Sequence, residues 1–587
     1  MKANDSLVLK ICGSAGDGAI SAAEILNRAA ALMGFHIMNF DSYPAEIRGF
    51  GKTVGHTRIS RSKVYTAGHE ANCLVALNDM HAISELGRLS HDAVIMYDSR
   101  PPDYMEEDTA IAGFIEPGMH GYGVPLRELS AQVVKSSRSR NIVALGALAA
   151  IYNLSIDAFI EAMNIRFAKK PQAVRDINKE AILSGYNYIR SAKERPIHRD
   201  MQAQTWEARD VTIINGNEAV AKGALHAGLK LYAGYPITPA TKIMEHLAKL
   251  LPAQNGTVVQ TEDEIAAIGH VIGGGYAGAR SMTATSGPGL CLMTEVLNLA
   301  VEAEIPSVLV NSMRGGPSTG LPTKTEQSDL NLAMFGASGD SPRPVIAPSN
   351  VVECYEMTRR AFEVAEAYQT PVIILIDFFL SNRFEDIGST AFDDFTSKMF
   401  EPVVAKPDTP DYKRFQLTDS GISPTAYPGM RGLQHAITGL EHTEKGLPNY
   451  EGPVHEAMTE KRHKKIDNLR FAWPEPEVAG PEGKLDVGVI AWGSTIGSAR
   501  EAMQDDRLSK LLVGGFFPRL IQPLQINHLS EFADRCNQLV VIELNSSGQL
   551  SSIVEQVVHR PVTRINEVPA EPMSVESIVV KLLGVLR

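Results

Sequence analysis

Residues 262–289 read EDEIAAIGHVIGGGYAGARSMTATSGPG. An acidic triplet, Glu262-Asp263-Glu264, opens a run of small and apolar residues, and 23 positions after Glu262 (285 − 262) the chain reaches Thr285-Ser286-Gly287-Pro288-Gly289. Acids suit the first turn of a helix, where they meet the positive end of the backbone dipole, and Thr261 fits the capping position before it. In the second motif Gly287 and Gly289 allow the backbone to approach a ligand closely, and Pro288 stiffens the turn. Each motif has an ordinary explanation, a solvated helix start and a plain strand–helix turn. Together, with Ala266, Ala267 and Ile268 giving the acid small apolar surroundings, they read as a carboxylate directed at a ligand. Glu262 is the expected acid, and Glu264 takes its place if the register is shifted.

Upstream, the strand-like run Lys230–Ala233 leads into Tyr235-Pro236-Ile237-Thr238-Pro239. The spacing of Ile243, Met244, Leu247 and Leu250 predicts a helix over Pro239–Leu251. Thr238 would be its N-cap and Pro239 its first residue. That helix start either simply caps or offers N–H groups to a carboxylate or phosphate. Downstream, Arg314 follows the strand-like Pro306–Val310, at a strand's carboxyl end, where α/β proteins bind ligands. A guanidinium grips a carboxylate through two parallel bonds. Lys324 shares this loop and is either a second anion contact or a solvated surface charge.

The chain has 587 residues, 44% hydrophobic and 21% charged, enough for three or more soluble domains. Its net charge of −12 opposes a nucleic-acid-binding role. No run of 18 apolar residues predicts a membrane span, and the N-terminus lacks a signal-peptide pattern. The five cysteines, Cys12, Cys73, Cys291, Cys354 and Cys536, are too scattered for a metal cluster. Such usage suits a reducing cytoplasm.

The expected fold class is α/β throughout. Residues 1–195 form a Rossmann-like unit, with strands at Ser6–Cys12, Phe35–Asp41, Cys73–Asn78 and Asp92–Asp98 and a helix over Ala19–Met33. A polar linker precedes a second α/β unit over 211–390, which includes Pro371–Asp377. Residues 391–483 are an excursion with little periodicity, read as functional or partner-facing. A third α/β unit, 484–587, has strands at Leu485–Ala491, Leu511–Phe516 and Gln538–Glu543.

Gly13-Ser14-Ala15-Gly16-Asp17-Gly18 invites two misreadings. As a GDG…N site for a metal-bound diphosphate it is too short, since Asn39 follows too soon, and it lies in the wrong unit. As a dinucleotide fingerprint, with Asp41 as the ribose acid, it has the order G-x-x-G-x-G instead of G-x-G-x-x-G. A phosphate-bearing ligand such as coenzyme A suits the same loop equally well.

These pieces together resemble the α subunit of the 2-oxoacid:ferredoxin oxidoreductases over nearly the whole chain. The resemblance rests on YPITP, EDEIA, TATSGPG and RGGPSTGLPTKTEQSDL, on YKRFQLTDSGISPTAYPG, GLEHTEKG and KRHKK in the excursion, and on VIELNSSGQL near the end. GSAGDG and IRGFGKTVGHTRIS resemble the γ domain of these enzymes, fused here ahead of α as in 2-oxoglutarate-type members. The resemblance implies a γ domain, a thiamine diphosphate pyrimidine-binding domain and a transketolase-C-terminal-like domain. It implies that Glu262 hydrogen-bonds the cofactor's aminopyrimidine, that Tyr235, Pro236, Ile237, Ser286, Gly287, Pro288 and Gly289 line the cofactor, and that Thr238 and Arg314, with Lys324 as a further candidate, bind the substrate. Gly13, Gly16, Gly18, Arg48, Lys52 and Arg58 become coenzyme A candidates. It further implies a β subunit holding the diphosphate, Mg²⁺ and a [4Fe–4S] cluster, ferredoxin as electron acceptor, and an (αβ)₂ heterotetramer. The implied reaction is oxidative decarboxylation of 2-oxoglutarate to succinyl-CoA, with pyruvate, branched-chain and indolepyruvate substrates as alternatives. A nicotinamide-dependent oxidoreductase built on the first unit and a non-catalytic scaffold subunit are the rival readings.

Overall fold

A computed structural model describes residues 6–42, 51–68, 70–100, 110–134, 139–191, 198–201, 210–392 and 398–585. The chain divides into two compact units, Met1–Ile214 with Arg383–Ser389, and Asn215–Asn382 with Thr390–Arg587.

The first unit is built on an eight-stranded sheet, ordered His120–Val124, Leu89–Asp98, Ala71–Ala76, Ser6–Ser14, Lys52–Ser60, His36–Ser42, Phe384–Gly388, Val211–Asn215. The four strands from His120–Val124 to Ser6–Ser14 run parallel, as a Rossmann-like sheet requires. Lys52–Ser60 then enters antiparallel to both its neighbours. This strand was not expected, because its lysine, histidine and arginine interrupt the apolar alternation. It separates Ser6–Ser14 from His36–Ser42, so Asp41 does not lie on the strand adjacent to the glycine loop. The geometry of a dinucleotide fingerprint is therefore not formed. Asn39 is likewise committed within the sheet, its Nδ2 donating to His56 O at 3.1 Å and Asp41 Oδ1 at 3.0 Å.

The second unit holds a seven-stranded sheet, ordered Leu520–Gln522, Val345–Ile346, Pro371–Asp377, Ser307–Met313, Ser281–Thr285, Leu231–Gly234, Thr257–Gln260. All its pairs are parallel except the one that brings in Leu520–Gln522. A five-stranded sheet follows, Glu477–Ala479, Val513–Phe517, Leu485–Ala491, Cys536–Glu543, Thr563–Asn566. The two sheets share one apolar cluster, in which Leu309, Val345 and Leu375 join Trp492, Phe516 and Leu539. The second and third α/β layers are thus parts of one body.

Between them, residues 398–451 are mostly irregular, and a 21-residue helix, Gly452–Ala472, follows. Its buried face carries Lys461, Arg462 and Lys465. Lys465 donates to Glu304 at 2.8 Å and to Gln369 O at 2.9 Å, and Lys461 pairs with the other Glu304 oxygen. Arg414 of the irregular segment donates to Glu304 O at 2.7 Å. Arg462 bridges Glu302 at 3.2 Å and Glu441 at 2.8 Å. These charges fasten the excursion to the turn that ends the helix Gly287–Glu302.

Arg343, fully buried, donates from Nε to Ala333 O at 3.0 Å and from Nη2 to Gly336 O at 2.8 Å, so it closes the helix Leu330–Phe335. Arg343→Met leaves these carbonyls without their donor. It is expected to cost about 3 kcal/mol, read as a lower urea midpoint with unchanged slope.

Candidate functional site

The loops that follow Leu231–Gly234, Thr257–Gln260, Ser281–Thr285 and Ser307–Met313 gather at the carboxyl edge of the seven-stranded sheet. The first consequence is a correction at the acidic triplet. Asp263, not Thr261, is the N-cap of the helix Glu264–Tyr276, its side chain accepting from Ala266 N at 2.7 Å. Thr261 instead donates its hydroxyl to Asp263 O at 2.9 Å. Glu262 then lies before the helix and is exposed, while Glu264 begins the helix and is only 6% exposed. A Cβ built on Gly289 would meet Thr285 Oγ1 at 2.0 Å and Glu264 Cγ and Oε1 at 2.7 Å. The carboxylate that reaches the TSGPG turn is therefore Glu264, in place of Glu262.

The helix can carry Glu264 this close because it lies tight on the sheet. A Cβ on Gly275 would stand 2.1 Å from Pro306 O, so only glycine permits that approach. The turn itself forms as expected. Ser286 is the N-cap of the helix Gly287–Glu302 but makes no side-chain capping bond, and its buried Oγ has no partner. Gly287 faces Asp329, whose Oδ2 would be 2.7 Å from a Cβ there.

Thr238 and Arg314 also come together. Arg314 is 7% exposed and donates from Nη1 to Thr238 O at 2.7 Å, while its buried Nε is unpartnered. Burial lowers the Arg314 pKa, and Asp329 partly offsets this. Thr238 is not the N-cap expected of it. It lies in a turn, and the helix begins at Thr241 with Ala240 before it. Tyr235 and Thr238 are exposed and Pro236 and Ile237 half-buried, so this segment presents its surface at the rim. Lys324 is half-buried in the Arg314 loop, where its carbonyl accepts from Gly315 N at 3.0 Å.

Two polar side chains at this edge were not singled out from the sequence. Asn311, fully buried near the end of its strand, donates from Nδ2 to Asp329 Oδ2 at 2.9 Å, and its Oδ1 is unpartnered. Burial raises the Asp329 pKa, and the Asn311 hydrogen bond opposes that rise. The available signal was their place in the sequence, at a strand's end and fifteen residues past Arg314 (329 − 314).

In the first unit the glycine loop joins Ser6–Ser14 to the helix Ala19–Leu32. Its amides are partly spoken for, since Ser14 N donates to Asp17 Oδ2 at 2.8 Å and Ala15 N to Gly51 O at 2.9 Å. Asp17 pairs in turn with Arg140. Gly16 and Gly18 both take positive φ, and Gly13 packs beneath Asp17. Lys52 donates to Glu85 at 2.5 Å and to Ser84 at 3.0 Å. Arg58 is held within the protein. It is 5% exposed, with Nε donating to Ser6 Oγ at 2.9 Å and Nη1 to Thr66 Oγ1 at 2.9 Å. Arg48 lies outside the described residues.

Comparison with known proteins accounts for this arrangement. Residues 222–461 match the family described as pyruvate flavodoxin/ferredoxin oxidoreductase, thiamine diP-bdg. Residues 8–188 match pyruvate ferredoxin/flavodoxin oxidoreductase, and residues 486–578 match pyruvate:ferredoxin oxidoreductase core domain II. The chain is 31% identical to the 2-oxoglutarate oxidoreductase subunit KorA of Mycobacterium tuberculosis, over 94% of this chain and 87% of that one. It is 28% identical to the α subunit of 2-oxoacid:ferredoxin oxidoreductase 2 of Aeropyrum pernix, over 93% and 92%. Among solved structures it is similar to the 2-oxoglutarate:ferredoxin oxidoreductase of Magnetococcus marinus with 2-oxoglutarate, coenzyme A and succinyl-CoA bound, at a TM-score of 0.92 and 37% identity, covering 99% of this chain and 100% of that one. With a buried glutamate against the TSGPG turn and an arginine beside the YPITP segment on the same sheet edge, the chain belongs to the 2-oxoacid:ferredoxin oxidoreductase family, as an α subunit.

Proposed function

We propose that the chain is the α subunit of a thiamine diphosphate-dependent 2-oxoglutarate:ferredoxin oxidoreductase, converting 2-oxoglutarate and coenzyme A to succinyl-CoA and CO₂ while two electrons pass singly to ferredoxin. The observation that carries this reading is the burial of Glu264 against Thr285–Gly289, on the edge that also holds Arg314 and Thr238. The substrate choice is supported by the relatives, one named as a 2-oxoglutarate oxidoreductase subunit and one bearing 2-oxoglutarate and succinyl-CoA.

The edge suits the pyrimidine end of thiamine diphosphate. Ser286 Oγ, Asn311 Oδ1 and Arg314 Nε are buried and unpartnered, and the space at Gly289 has no room for a Cβ. When bound, thiamine diphosphate would supply carbanion chemistry for the 2-oxo carbon. Glu264 would accept a hydrogen bond from the pyrimidine ring, on the helix face that also buries Ala267 and Ile268. Arg314 and the Thr238 segment hold the substrate carboxylate, with Lys324 a further anion contact. Gly289→Ala is expected to weaken thiamine diphosphate binding at least tenfold by pressing on Thr285 and Glu264. Titration of cofactor-stripped complex, followed by fluorescence quenching, measures this.

A β subunit is proposed to hold the diphosphate, Mg²⁺ and the [4Fe–4S] cluster, in an (αβ)₂ assembly in the cytoplasm. Two features support it. The chain lacks a GDG…N motif at working spacing and clustered cysteines. The Glu264 helix also leaves Ile265 49% and Tyr276 40% exposed, with open space above Gly269 and Gly273. The first unit is proposed to serve coenzyme A, with the Gly13–Gly18 loop and Lys52 as its candidates. No helix among the described residues is long and apolar enough to cross a membrane. Turnover of the purified complex against a panel of 2-oxoacids, with coenzyme A and a low-potential viologen acceptor, tests the substrate. The highest kcat/KM is expected for 2-oxoglutarate, and a preference for pyruvate would overturn that choice.

A further inference from the structure

The loop that begins at Arg314 does not end within its own sheet. Gln327, fully buried, donates its N–H to Leu544 O at 2.7 Å and its Nε2 to Trp492 O at 2.9 Å, while its Oε1 accepts from Leu544 N at 3.1 Å. Asn545 Nδ2 donates to Gln327 O at 3.1 Å. Four residues on, Gln549 closes a second ring, with Nε2 donating to Ser328 O at 2.7 Å and Oε1 accepting from Asn331 N at 2.9 Å. Asp329, which meets Gly287 and Asn311, lies inside the segment so held.

The other jaw is itself rigid. Glu543, fully buried at the end of Cys536–Glu543, accepts from Leu550 N at 2.8 Å, Ser551 N at 2.9 Å and Asn545 Nδ2 at 2.9 Å. Asn545 Oδ1 accepts from Gly548 N at 2.7 Å. Both carboxylate oxygens of Glu543 and the amide oxygen of Asn545 have donors, so the turn resists deformation. No residue past 484 was expected in the site, yet the VIELNSSGQL turn grips the loop that carries Arg314 and Asp329.

We propose that Gln549, with Asn545 and Gln327, is a positioning residue for 2-oxoacid binding, and that the C-terminal layer sets the place of Arg314 by clamping the far end of its loop. This rests on the reading of Arg314 as the carboxylate contact. Substrate affinity is then tuned by a side chain that touches no substrate. Loosening the clamp weakens a contact made equally in the ground and transition states, so KM rises more than kcat falls.

The test uses the assembled complex and steady-state turnover of 2-oxoglutarate with coenzyme A and a viologen acceptor. Gln549→Ala removes two part-buried hydrogen bonds to the backbone of Ser328 and Asn331, so the melting midpoint is expected to fall only modestly. The expected KM rise is about tenfold, with kcat within about twofold. Gln549→Glu, which keeps the acceptor for Asn331 N and loses the donor, is expected between Ala and wild type. In an Arg314→Lys background the Gln549→Ala effect is expected to vanish, because the two act through one contact. A wild-type KM in Gln549→Ala, or an undiminished effect in the Arg314→Lys background, overturns the proposal. Absence of 2-oxoacid turnover in the wild-type complex overturns the functional reading instead.

Discussion

Glu264→Gln in the assembled complex is expected to lower kcat by about 10²- to 10⁴-fold, the range for losing a positioned acid–base group. Glu262→Ala, two residues away, is expected to leave the rate within about twofold. The contrast follows from one local event. Asp263 takes the N-cap, which turns Glu264 under the TSGPG turn and leaves Glu262 outside the helix in solvent. Glutamine keeps the size and shape of glutamate, so the exchange is expected to leave the packing at the helix start intact. The melting midpoint of Glu264→Gln should stay close to wild type. Stopped-flow reduction of the acceptor and a parallel thermal melt measure both. Equal rates for Glu264→Gln and wild type would remove the assignment.

The second large effect concerns stability. Glu304→Gln leaves Lys461 and Lys465 buried without a countercharge and is expected to cost about 3–5 kcal/mol. Replacing Glu304 by Leu together with both lysines by Met is expected to recover much of that loss, since it removes the charges as a set. The same network predicts the acid limb of stability. Burial raises the Glu304 carboxyl, but Lys461, Lys465 and Arg414 outweigh it and hold it below the usual range. At Glu441 burial is likewise outweighed, by Arg462 and His455, and its pKa stands at about 2. A carboxyl depressed on folding contributes stability that is whole above its unfolded value, about 4.3, and is lost as pH falls through its folded value. Urea midpoints should therefore begin to fall below about pH 4.5 in wild type, and by less in Glu304→Gln.

Much of the framework was legible because it obeys simple periodicities. Pro371–Asp377 and Leu485–Ala491 are mostly apolar runs and fold as the strands expected. The Gly452–Ala472 helix was not legible because the face it buries is charged. Lys461 and Lys465 give no apolar periodicity, and their partner Glu304 lies far away in sequence. Lys52–Ser60 hid for the same reason, since its charged Arg58 is buried as a donor to Ser6 and Thr66. The choice between Glu262 and Glu264 turned on which of two competent residues, Thr261 or Asp263, caps the helix, and propensity alone does not separate them. Likewise nothing local announced that Gln549 reaches the Arg314 loop, because that contact spans more than two hundred residues.

A Glu264 that serves one half of a site, with the other half held by a second polypeptide, is inactive on its own. Turnover of 2-oxoglutarate with thiamine diphosphate, Mg²⁺, coenzyme A and a viologen acceptor should be measured for this chain alone, for its co-purifying subunit alone, and for the two mixed. Activity is expected in the mixture only, abolished there by Glu264→Gln. Undiminished turnover by the isolated chain would contradict it.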